Sequence, residues 1–184
     1  MMVCGDARLL IVFGGLPGTG KTTLARLIAE ERCATYLRID TVEQALRSSG
    51  MLAGDVGPSG YLVSYALAAS NLAIGRIVVA DSVNPLAITR DAWRKVAAAA
   101  CSPIIEIEIV CSDLAEHRRR VETRSADIAG FVLPSWTTVQ QRHYEAWDRP
   151  RLVVDTAGSS VADTMATLHQ RLGSEIARPP ADFV

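Results

Sequence analysis

Eight residues near the start of the chain, Gly15–Thr22, have the types and spacing needed to hold a row of phosphates. They read G-L-P-G-T-G-K-T and fit the pattern G-x-x-x-x-G-K-[ST] at every position. Glycines let backbone N–H groups converge on phosphate oxygens without interference from Cβ atoms, and the ammonium of Lys21 can lie beside the β- and γ-phosphates. The Thr22 hydroxyl can ligate Mg²⁺. The pattern predicts ATP contacts from the loop and the turn after it, at Gly15, Pro17, Gly18, Thr19, Gly20, Lys21, Thr22 and Thr23.

Two carboxylates follow predicted strands further along the chain. Asp81 comes directly after Ile77–Ala80, and Asp40 closes the run Tyr36–Ile39. Four apolar residues before an Asp, at this distance behind a phosphate loop, are typical of a strand whose carboxylate holds the Mg²⁺ shell, so Asp81 is a predicted metal residue. The alternative for each is a local cap: Asp81 in a turn, and Asp40 as the N-cap of a helix beginning at Thr41.

The elements that must position these residues alternate between short strand-like runs and longer segments of helical period. The predicted strands are Arg8–Phe13, Thr35–Ile39, Ile77–Ala80, Ile104–Val110 and Leu152–Asp155. The predicted helices are Lys21–Arg32, Thr41–Ser48, Tyr61–Ile74, Ile88–Ala100, Leu114–Arg124 with Asp113 as N-cap, Pro134 to about Trp147, and Ser160–Leu172. This order predicts an α/β fold in which helices cover both faces of a parallel sheet. Ligands in such sheets bind at the carboxyl ends of the strands.

Charge and hydropathy exclude several kinds of partner. The chain has 184 residues with 19 basic and 20 acidic side chains, and only Lys21 and Lys95 among the basic residues are lysines. A net charge of −1 offers no broad positive field for an anionic membrane, and it disfavours long nucleic acid. The apolar runs are far shorter than the roughly 20 residues of a membrane span, and no secretory signal is visible. Four cysteines without CxxC spacing favour reduced, mostly buried thiols, and we expect a cytoplasmic protein.

The sequence GGLPGTGKTT, in a short chain with a single Asp ending the second strand, resembles the small-molecule kinases of the P-loop superfamily. Gluconate kinases, adenylylsulfate kinases, shikimate kinases and chloramphenicol phosphotransferases belong to it, and zeta-toxin-like kinases are more distant. The resemblance covers nearly the whole chain in element order. It implies a three-layer P-loop NTPase sandwich with a five-stranded parallel sheet in the order 2-3-1-4-5. It also implies an enzyme that uses ATP and Mg²⁺ to phosphorylate a hydroxyl of a small molecule.

The resemblance implies one domain over residues 1–177, with a substrate-binding region at about 41–74, a short lid at about 118–134 and a flexible tail at 178–184. Gly130 is a candidate hinge of the lid. The protein would be a monomer or a homodimer.

The resemblance also assigns roles within the site. Asp40 would face the acceptor hydroxyl as base or orienting group, while Lys21 holds the γ-phosphate. In related kinases the first arginine of the lid helix lies against adenine and a later one reaches the transferring phosphate. Counting from the end of the fourth strand assigns these roles to Arg118 and Arg124. The loop after the last strand, including Thr156, would pass the adenine edge.

Further candidates lie next to these. Ser82, Asn84 and Arg90 resemble the substrate segment of gluconate kinases, although a local capping network explains them equally well. Neighbouring residues on a helix point about 100° apart, so the three arginines 118–120 cannot all face one cleft. Asp155 would either orient the adenine loop or cap the last helix. Tyr61 and Tyr65 would either line the acceptor pocket or pack in the core, and the three histidines are expected at surface or helix positions rather than as metal ligands.

The acceptor is left open by the sequence. The chain lacks the DxD after strand two and the triple glycine at strand three that mark shikimate kinases, which argues against shikimate. The alternatives to a small-molecule kinase are a nucleotide-sugar or polynucleotide 5′-hydroxyl kinase, or a P-loop NTPase that switches a protein partner without phosphorylating it.

Overall fold

Five strands and seven helices alternate within residues 8–51 and 54–176, which the computed structural model describes. The strands are β1 (Leu9–Gly14), β2 (Thr35–Arg38), β3 (Ile77–Asp81), β4 (Ile104–Val110) and β5 (Leu152–Asp155). The helices are α1 (Lys21–Glu31), α2 (Ile39–Ser48), α3 (Ser59–Ala73), α4 (Ala87–Ala99), α5 (Leu114–Thr123), α6 (Trp136–Gln140) and α7 (Val161–Ile176). The boundary expected at residue 177 and the tail at 178–184 lie outside the described residues.

The strands form one parallel sheet in the order β2-β3-β1-β4-β5, so the expected fold and strand order are confirmed. Strand β1 is at the centre and is buried along its entire length. It pairs with β3 from Leu9 opposite Ile77 to Phe13 opposite Asp81, and with β4 on its other side. Because all strands run the same way, the segments after β1, β2, β3 and β5 meet at one edge of the sheet.

Side chains on alternate positions of β1 enter two separate cores, as the period of a strand requires. Leu9, Ile11 and Phe13 pack under α1 and α7, whereas Leu10 and Val12 pack under α3 and α4. The sheet is therefore the middle layer of a sandwich with helices on both faces. Within the described residues, none of the helices combines the length and apolar character that crossing a membrane requires.

Each helix differs from its predicted bounds at one end or both; α7 continues to Ile176 instead of ending at Leu172, and two other differences bear on the site. Helix α2 begins at Ile39, directly after the extended residue Arg38, and not at Thr41. Asp40 therefore lies inside the first turn, where the helix dipole favours a carboxylate, and its predicted alternative role as N-cap is wrong. The predicted helix from Pro134 to about Trp147 is wrong in length, since α6 spans only Trp136–Gln140.

Arg90 holds the irregular chain that follows α6. Its guanidinium is fully buried and donates to main-chain carbonyls of Asn84, Pro85, Glu145 and Ala146 at 2.7–3.1 Å. An irregular chain around residues 145–146 is thereby attached to the loop between β3 and α4.

Aromatic rings complete the surroundings of this buried cation. The Trp147 ring lies 4.2 Å and the Tyr144 ring 5.2 Å from the Arg90 Cζ, distances at which a cation is attracted to a ring face. Arg90 therefore has a structural role: carbonyls and aromatic rings surround it, and no carboxylate is among its hydrogen-bond partners in the described residues.

The cysteines agree only partly with expectation. Cys33, Cys101 and Cys111 are free thiols, but Cys33 and Cys101 are exposed, so the expectation of mostly buried thiols is wrong for the described residues. Cys4 lies outside them. The expected N-cap of α5 is confirmed, because Asp113 Oδ1 accepts from the amides of Ala115 and Glu116 at 2.9 and 3.0 Å.

We expect Arg90→Gln to lower the free energy of unfolding by about 3–5 kcal/mol, because it leaves several buried carbonyls without a donor. Urea denaturation followed by circular dichroism measures the change. Lys95→Gln, on the exposed side of the same helix, is the control and should change the value by less than about 0.5 kcal/mol. Equal stability of the two variants would contradict the structural role of Arg90.

Candidate active site

The phosphate loop needs its glycines because the chain turns where side chains have no room. Gly15, Gly18 and Gly20 have φ values of +134°, +89° and +92°. A Cβ on Gly15 would overlap the Ile109 carbonyl, and one on Gly18 would lie 2.5 Å from Val121 Cγ2. These three positions therefore accept only glycine without strain.

The loop ends in a helix whose N-terminus is open. Gly20 is the N-cap of α1 and, among the described residues, no side chain bonds to the first-turn amides. Free amides at a helix start carry partial positive charge and favour anions. Thr19 is buried, with its hydroxyl donating to the Leu16 carbonyl at 2.9 Å, so it stabilises the turn.

Helix α5 packs over the outside of the loop. His117 is buried, and its Nε2 lies 2.8 Å from the Pro17 carbonyl, a contact in which the ring N–H donates. The His117 ring also meets the Trp136 ring edge-to-face at 5.2 Å. The helix expected to carry the lid arginines is thus fixed to the phosphate loop by a histidine whose specific contact the sequence did not reveal.

One cleft of about 1240 Å³ lies at the carboxyl edge of the sheet. Its lining includes Lys21 and Thr22 from the phosphate loop, Asp40 from α2 and Arg124 from the end of α5. Tyr61 and Tyr65 also line it while packing against the core, so both readings of these residues apply. The residues after α5, including Gly130 in a left-handed conformation at φ +74°, form another wall.

Helix α2 presents a polar stripe to the cleft that begins with Asp40. Glu43, Gln44 and Arg47 follow at spacings of three, four and seven residues, which place them on the same helix face, and all four line the cleft. Arg47 donates to Glu43 at 3.1 Å, and burial raises the pKa of the Glu43 carboxyl. Sequence reasoning missed the last three, although their spacing from Asp40 was the available signal.

Asp81 ends β3 with one carboxylate oxygen occupied and one free. The Tyr36 hydroxyl donates to Oδ2 at 2.7 Å, and burial beside Asp81 raises the pKa of Tyr36, which keeps it a donor. Oδ1 is buried and has no hydrogen-bond partner among the described residues. Such an orphaned oxygen fits a role in a metal or water shell.

Arg38 connects the Asp81 carboxylate to the wall of the cleft that the residues after α5 form. Its terminal nitrogens bind both oxygens of Asp127 at 2.6 and 3.0 Å, and its Nε lies 3.9 Å from Asp81 Oδ2. The guanidinium lowers the pKa of Asp127. We call this bidentate Arg38–Asp127 pair the lid latch, because Asp127 belongs to the segment predicted to be a lid; no sequence pattern indicated the pair.

Arg124 faces the cleft as predicted, but without a partner. Its Nε and Nη2 are buried and have no acceptor in the described part of the chain. Burial lowers the pKa of its guanidinium, while Asp40 opposes that change. Lys21 is also buried, at 6% exposure, and contacts no carboxylate among the described residues. Two desolvated cations without acceptors make the cleft a strong anion site.

The arginine side chains of helix α5 do not lie where the sequence predicted. Arg118 is 60% exposed and pairs with Glu122 within α5 at 2.8 Å, so the structure does not bring it to either cavity. Arg120 instead donates to the hydroxyl and carbonyl of Thr156 at 2.8 and 2.9 Å and to Glu116 at 2.6 Å. These contacts fix the plane of the Arg120 guanidinium beside the phosphate loop.

Arg120 and Thr156 line a second depression of about 290 Å³ together with Gly20 and Thr23. The buried Thr156 hydroxyl donates to the Thr19 carbonyl at 2.9 Å. It therefore joins the loop after β5 to the phosphate loop.

Asp155 organises that loop. Its Oδ1 accepts from the amides of Ser112 and Ala157 at 3.0 Å each. The start of α7 is capped by Ser160, whose Oγ accepts from the Asp163 amide at 3.1 Å. The orienting alternative for Asp155 therefore fits the structure, and the alternative of a cap on the last helix is wrong.

Three predicted substrate residues are not brought to the cleft. Ser82, Asn84 and Arg90 are buried at 0–2% exposure and do not line it. Asn84 has a left-handed φ of +50°. Its main-chain amide donates to the Tyr61 hydroxyl at 3.0 Å, and its main-chain carbonyl accepts from Arg90. Arg90 fits the local-network alternative, whereas the buried side-chain atoms Ser82 Oγ, Asn84 Oδ1 and Asn84 Nδ2 have no hydrogen-bond partner among the described residues.

Comparison with known proteins agrees with this geometry. Residues 10–150, more than half of the chain, match the family model AAA_33, an AAA domain. Among curated proteins, the uncharacterized protein Rv2004c of Mycobacterium tuberculosis and Mb2027c of Mycobacterium bovis are each 46% identical over 48 residues. That segment is 26% of this chain, and the chain spans about a tenth of the length of these relatives.

Solved structures share the fold at low identity. The APS kinase CysC of Mycobacterium tuberculosis, in complex with AMPPNP and APS, has a TM-score of 0.65 at 20% identity, covering 91% of this chain and 98% of that chain. Kti12 of Chaetomium thermophilum with ADP-AlF3 has a TM-score of 0.67 at 23% identity, covering 92% and 100%. A gluconokinase of Sinorhizobium meliloti 1021 has a TM-score of 0.60 at 20% identity, covering 90% and 95%. The chain thus has the fold of P-loop kinases.

The lid latch predicts a local effect of Asp127→Asn. Loss of the bidentate pair should speed amide hydrogen exchange of residues 125–133 by about threefold to fivefold, since a half-exposed ion pair contributes up to about 1 kcal/mol. Exchange of the nucleotide-free protein, followed by mass spectrometry, measures it. Glu122→Gln removes the Arg118–Glu122 pair inside α5 and is the control. Identical exchange of residues 125–133 in both variants would show that the pair does not hold the lid.

Proposed function

Because the chain belongs to the AAA_33 family of AAA domains, we propose that it is an ATP- and Mg²⁺-dependent phosphotransferase that moves the γ-phosphate to a hydroxyl of a small molecule. One observation carries the proposal: a phosphate loop with an open helix N-terminus, two desolvated cations without acceptors and a carboxylate line one cleft. Phosphoryl transfer needs mainly such positioning and charge stabilisation.

Lys21, the loop amides and Arg124 would bind the triphosphate. The α1 N-terminus supplies partial positive charge, and Lys21 places a full charge beside the β- and γ-phosphates. Arg124, whose guanidinium has two buried donors available, would bind oxygens of the transferring phosphate in a fork. These donors act where negative charge spreads during transfer, so they stabilise the transition state.

Asp40 would accept the proton of the acceptor hydroxyl or orient that hydroxyl toward the γ-phosphate. It lies in the first turn of α2 at the cleft, with no neighbour among the described residues that ties up its carboxylate. A single positioned carboxylate is what this step requires.

Thr22 and Asp81 would hold Mg²⁺. The fit rests on the orphaned, buried Asp81 Oδ1 at the end of β3, which is not part of the cleft lining, and on the Thr22 side chain at the cleft. No group of three or more His, Cys, Asp or Glu side chains in the described residues is arranged to hold a metal by itself, as is usual for Mg²⁺ shared with phosphates. When bound, the ion neutralises phosphate charge.

The depression beside Arg120 would hold the adenine. The guanidinium plane is fixed by Thr156 and Glu116 and is 24% exposed, which leaves a face for a base to stack on. Arg120 therefore takes the role that counting along the sequence had assigned to Arg118.

We expect Asp40→Asn to lower the turnover number about 10²–10⁴-fold while changing ATP affinity less than about threefold, because the carboxylate acts on the acceptor. Transfer of labelled phosphate to a panel of hydroxyl compounds and ATP binding by calorimetry measure the two effects. Lys21→Ala should instead lose ATP affinity. Asp55→Asn, an exposed carboxylate away from the cleft lining, is the control. Normal transfer by Asp40→Asn, or phosphorylation of an RNA 5′-end and of no small molecule, would contradict the proposal.

We expect Arg120→Ala to weaken ATP binding about tenfold, the loss of a base-stacking contact of about 1.4 kcal/mol. Binding of inorganic triphosphate should change less than about twofold, since that ligand has no base. Arg118→Ala is the matched control and should leave both affinities unchanged. Equal losses for ATP and triphosphate in Arg120→Ala would show damage to the phosphate loop instead of a lost adenine contact.

A further inference from the structure

The cleft has two chemically different walls. Helix α2 supplies the polar stripe from Asp40 to Arg47 described above. Other lining residues come from α3, from the start of α4 with its N-cap residue Leu86, and from the segment after α5. The large apolar ones among them are Tyr61, Leu62, Tyr65, Leu86, Ile88 and Val132. We call the second set the apolar wall.

Three members of the apolar wall are left open to solvent. Leu62 is 60% exposed, Ile88 is 72% exposed and Val132 is 86% exposed. Each comes from a different element, yet all three line the same cleft. Single exposed hydrophobic residues are ordinary, but an apolar patch gathered around one cavity is characteristic of a ligand-binding surface.

The hydroxyls of Tyr61, Tyr65 and Thr89 already bond inside the fold, while polar groups of Ser135, Thr138 and Arg142 line the cleft further along the segment after α5. The Tyr65 hydroxyl donates to the Thr89 carbonyl at 3.1 Å, and the Tyr61 hydroxyl accepts from the Asn84 amide at 3.0 Å. The Thr89 hydroxyl donates to the Leu86 carbonyl at 2.8 Å. A sugar or sugar acid placed here would lose water from its hydroxyls and gain few hydrogen bonds in return.

From these observations, and resting on the proposed function, we propose that the acceptor is an amphipathic alcohol. Its hydroxyl approaches Asp40, further polar groups meet Glu43, Gln44 or Arg47, and an aromatic or branched aliphatic body covers Leu62, Ile88 and Tyr65. Burial of that body removes apolar surface from water on both sides, which favours such an acceptor over a linear polyol.

Two probes that share a 1,3-diol test the proposal. 2-Phenyl-1,3-propanediol carries a phenyl group where glycerol carries a hydroxyl. Binding of each to the full chain is measured by calorimetry in the presence of Mg²⁺ and a non-hydrolysable ATP analogue, and phosphate transfer is measured separately with ATP. We expect the phenyl diol to bind at least tenfold more tightly than glycerol.

Two leucines of α3 form the matched pair of variants. Leu62→Asn should weaken binding of the phenyl diol about tenfold and raise its KM more than it lowers kcat. Leu67→Asn, at a position that is 43% exposed but does not line the cleft, should leave both unchanged. The unfolding midpoint of each variant shows whether weaker binding comes from a lost contact with the diol or from a less stable protein.

The outcomes distinguish this inference from the proposed function. If glycerol binds as well as the phenyl diol and is phosphorylated, the function stands and the amphipathic acceptor is overturned. If neither diol binds measurably, or Leu62→Asn and Leu67→Asn behave alike, the inference also fails. If the phenyl diol binds as expected but no alcohol receives phosphate, the acceptor surface stands and the phosphotransferase proposal fails.

Discussion

The site depends on positive charge that the fold buries without neutralising. Lys21 and Arg124 line the cleft with no acceptor among the described residues, next to a helix N-terminus that no described side chain caps. Positive groups that lack acceptors within the protein favour a bound anion, so this charge would stabilise a triphosphate in the cleft. The glycines of the loop let it pack directly against Ile109 and Val121.

Arginine solves several different problems in this chain. Arg90 is held by carbonyls and rings, Arg120 by a threonine and a glutamate, and Arg38 by two aspartates. Each uses the planar, multi-donor guanidinium to join segments far apart in sequence, which the point charge of lysine does less well. Arg124 differs because two of its buried donors have no acceptor among the described residues and no carboxylate there pairs with it. The paired arginines join segments of the fold, and Arg124 presents its donors to the cleft.

The sequence was sufficient where local pattern and topology decide the outcome. The alternation of elements predicted the parallel sheet and the edge at which the site lies, and the resemblance to P-loop kinases implied the order β2-β3-β1-β4-β5. The sequence was insufficient where contacts between residues far apart in the chain decide how a segment folds. The helix expected to reach Trp147 ends at Gln140, where the chain turns to surround Arg90 from another part of the sequence. Arg118 and Arg120 differ only in helix phase, and phase depends on how α5 lies on the phosphate loop through His117.

Arg38 connects the lid to the centre of the site. It binds Asp127 in the lid and lies 3.9 Å from Asp81. The segment that follows Asp127 contributes Val132 to the apolar wall. A body bound against that wall would therefore press on the same lid segment whose position depends on Arg38. Binding of the acceptor against the apolar wall and formation of the Arg38–Asp127 pair would then favour each other, since both need the same arrangement of the predicted lid segment. Such coupling would exclude water from the cleft when ATP and the acceptor are both bound, which limits the transfer of phosphate to water.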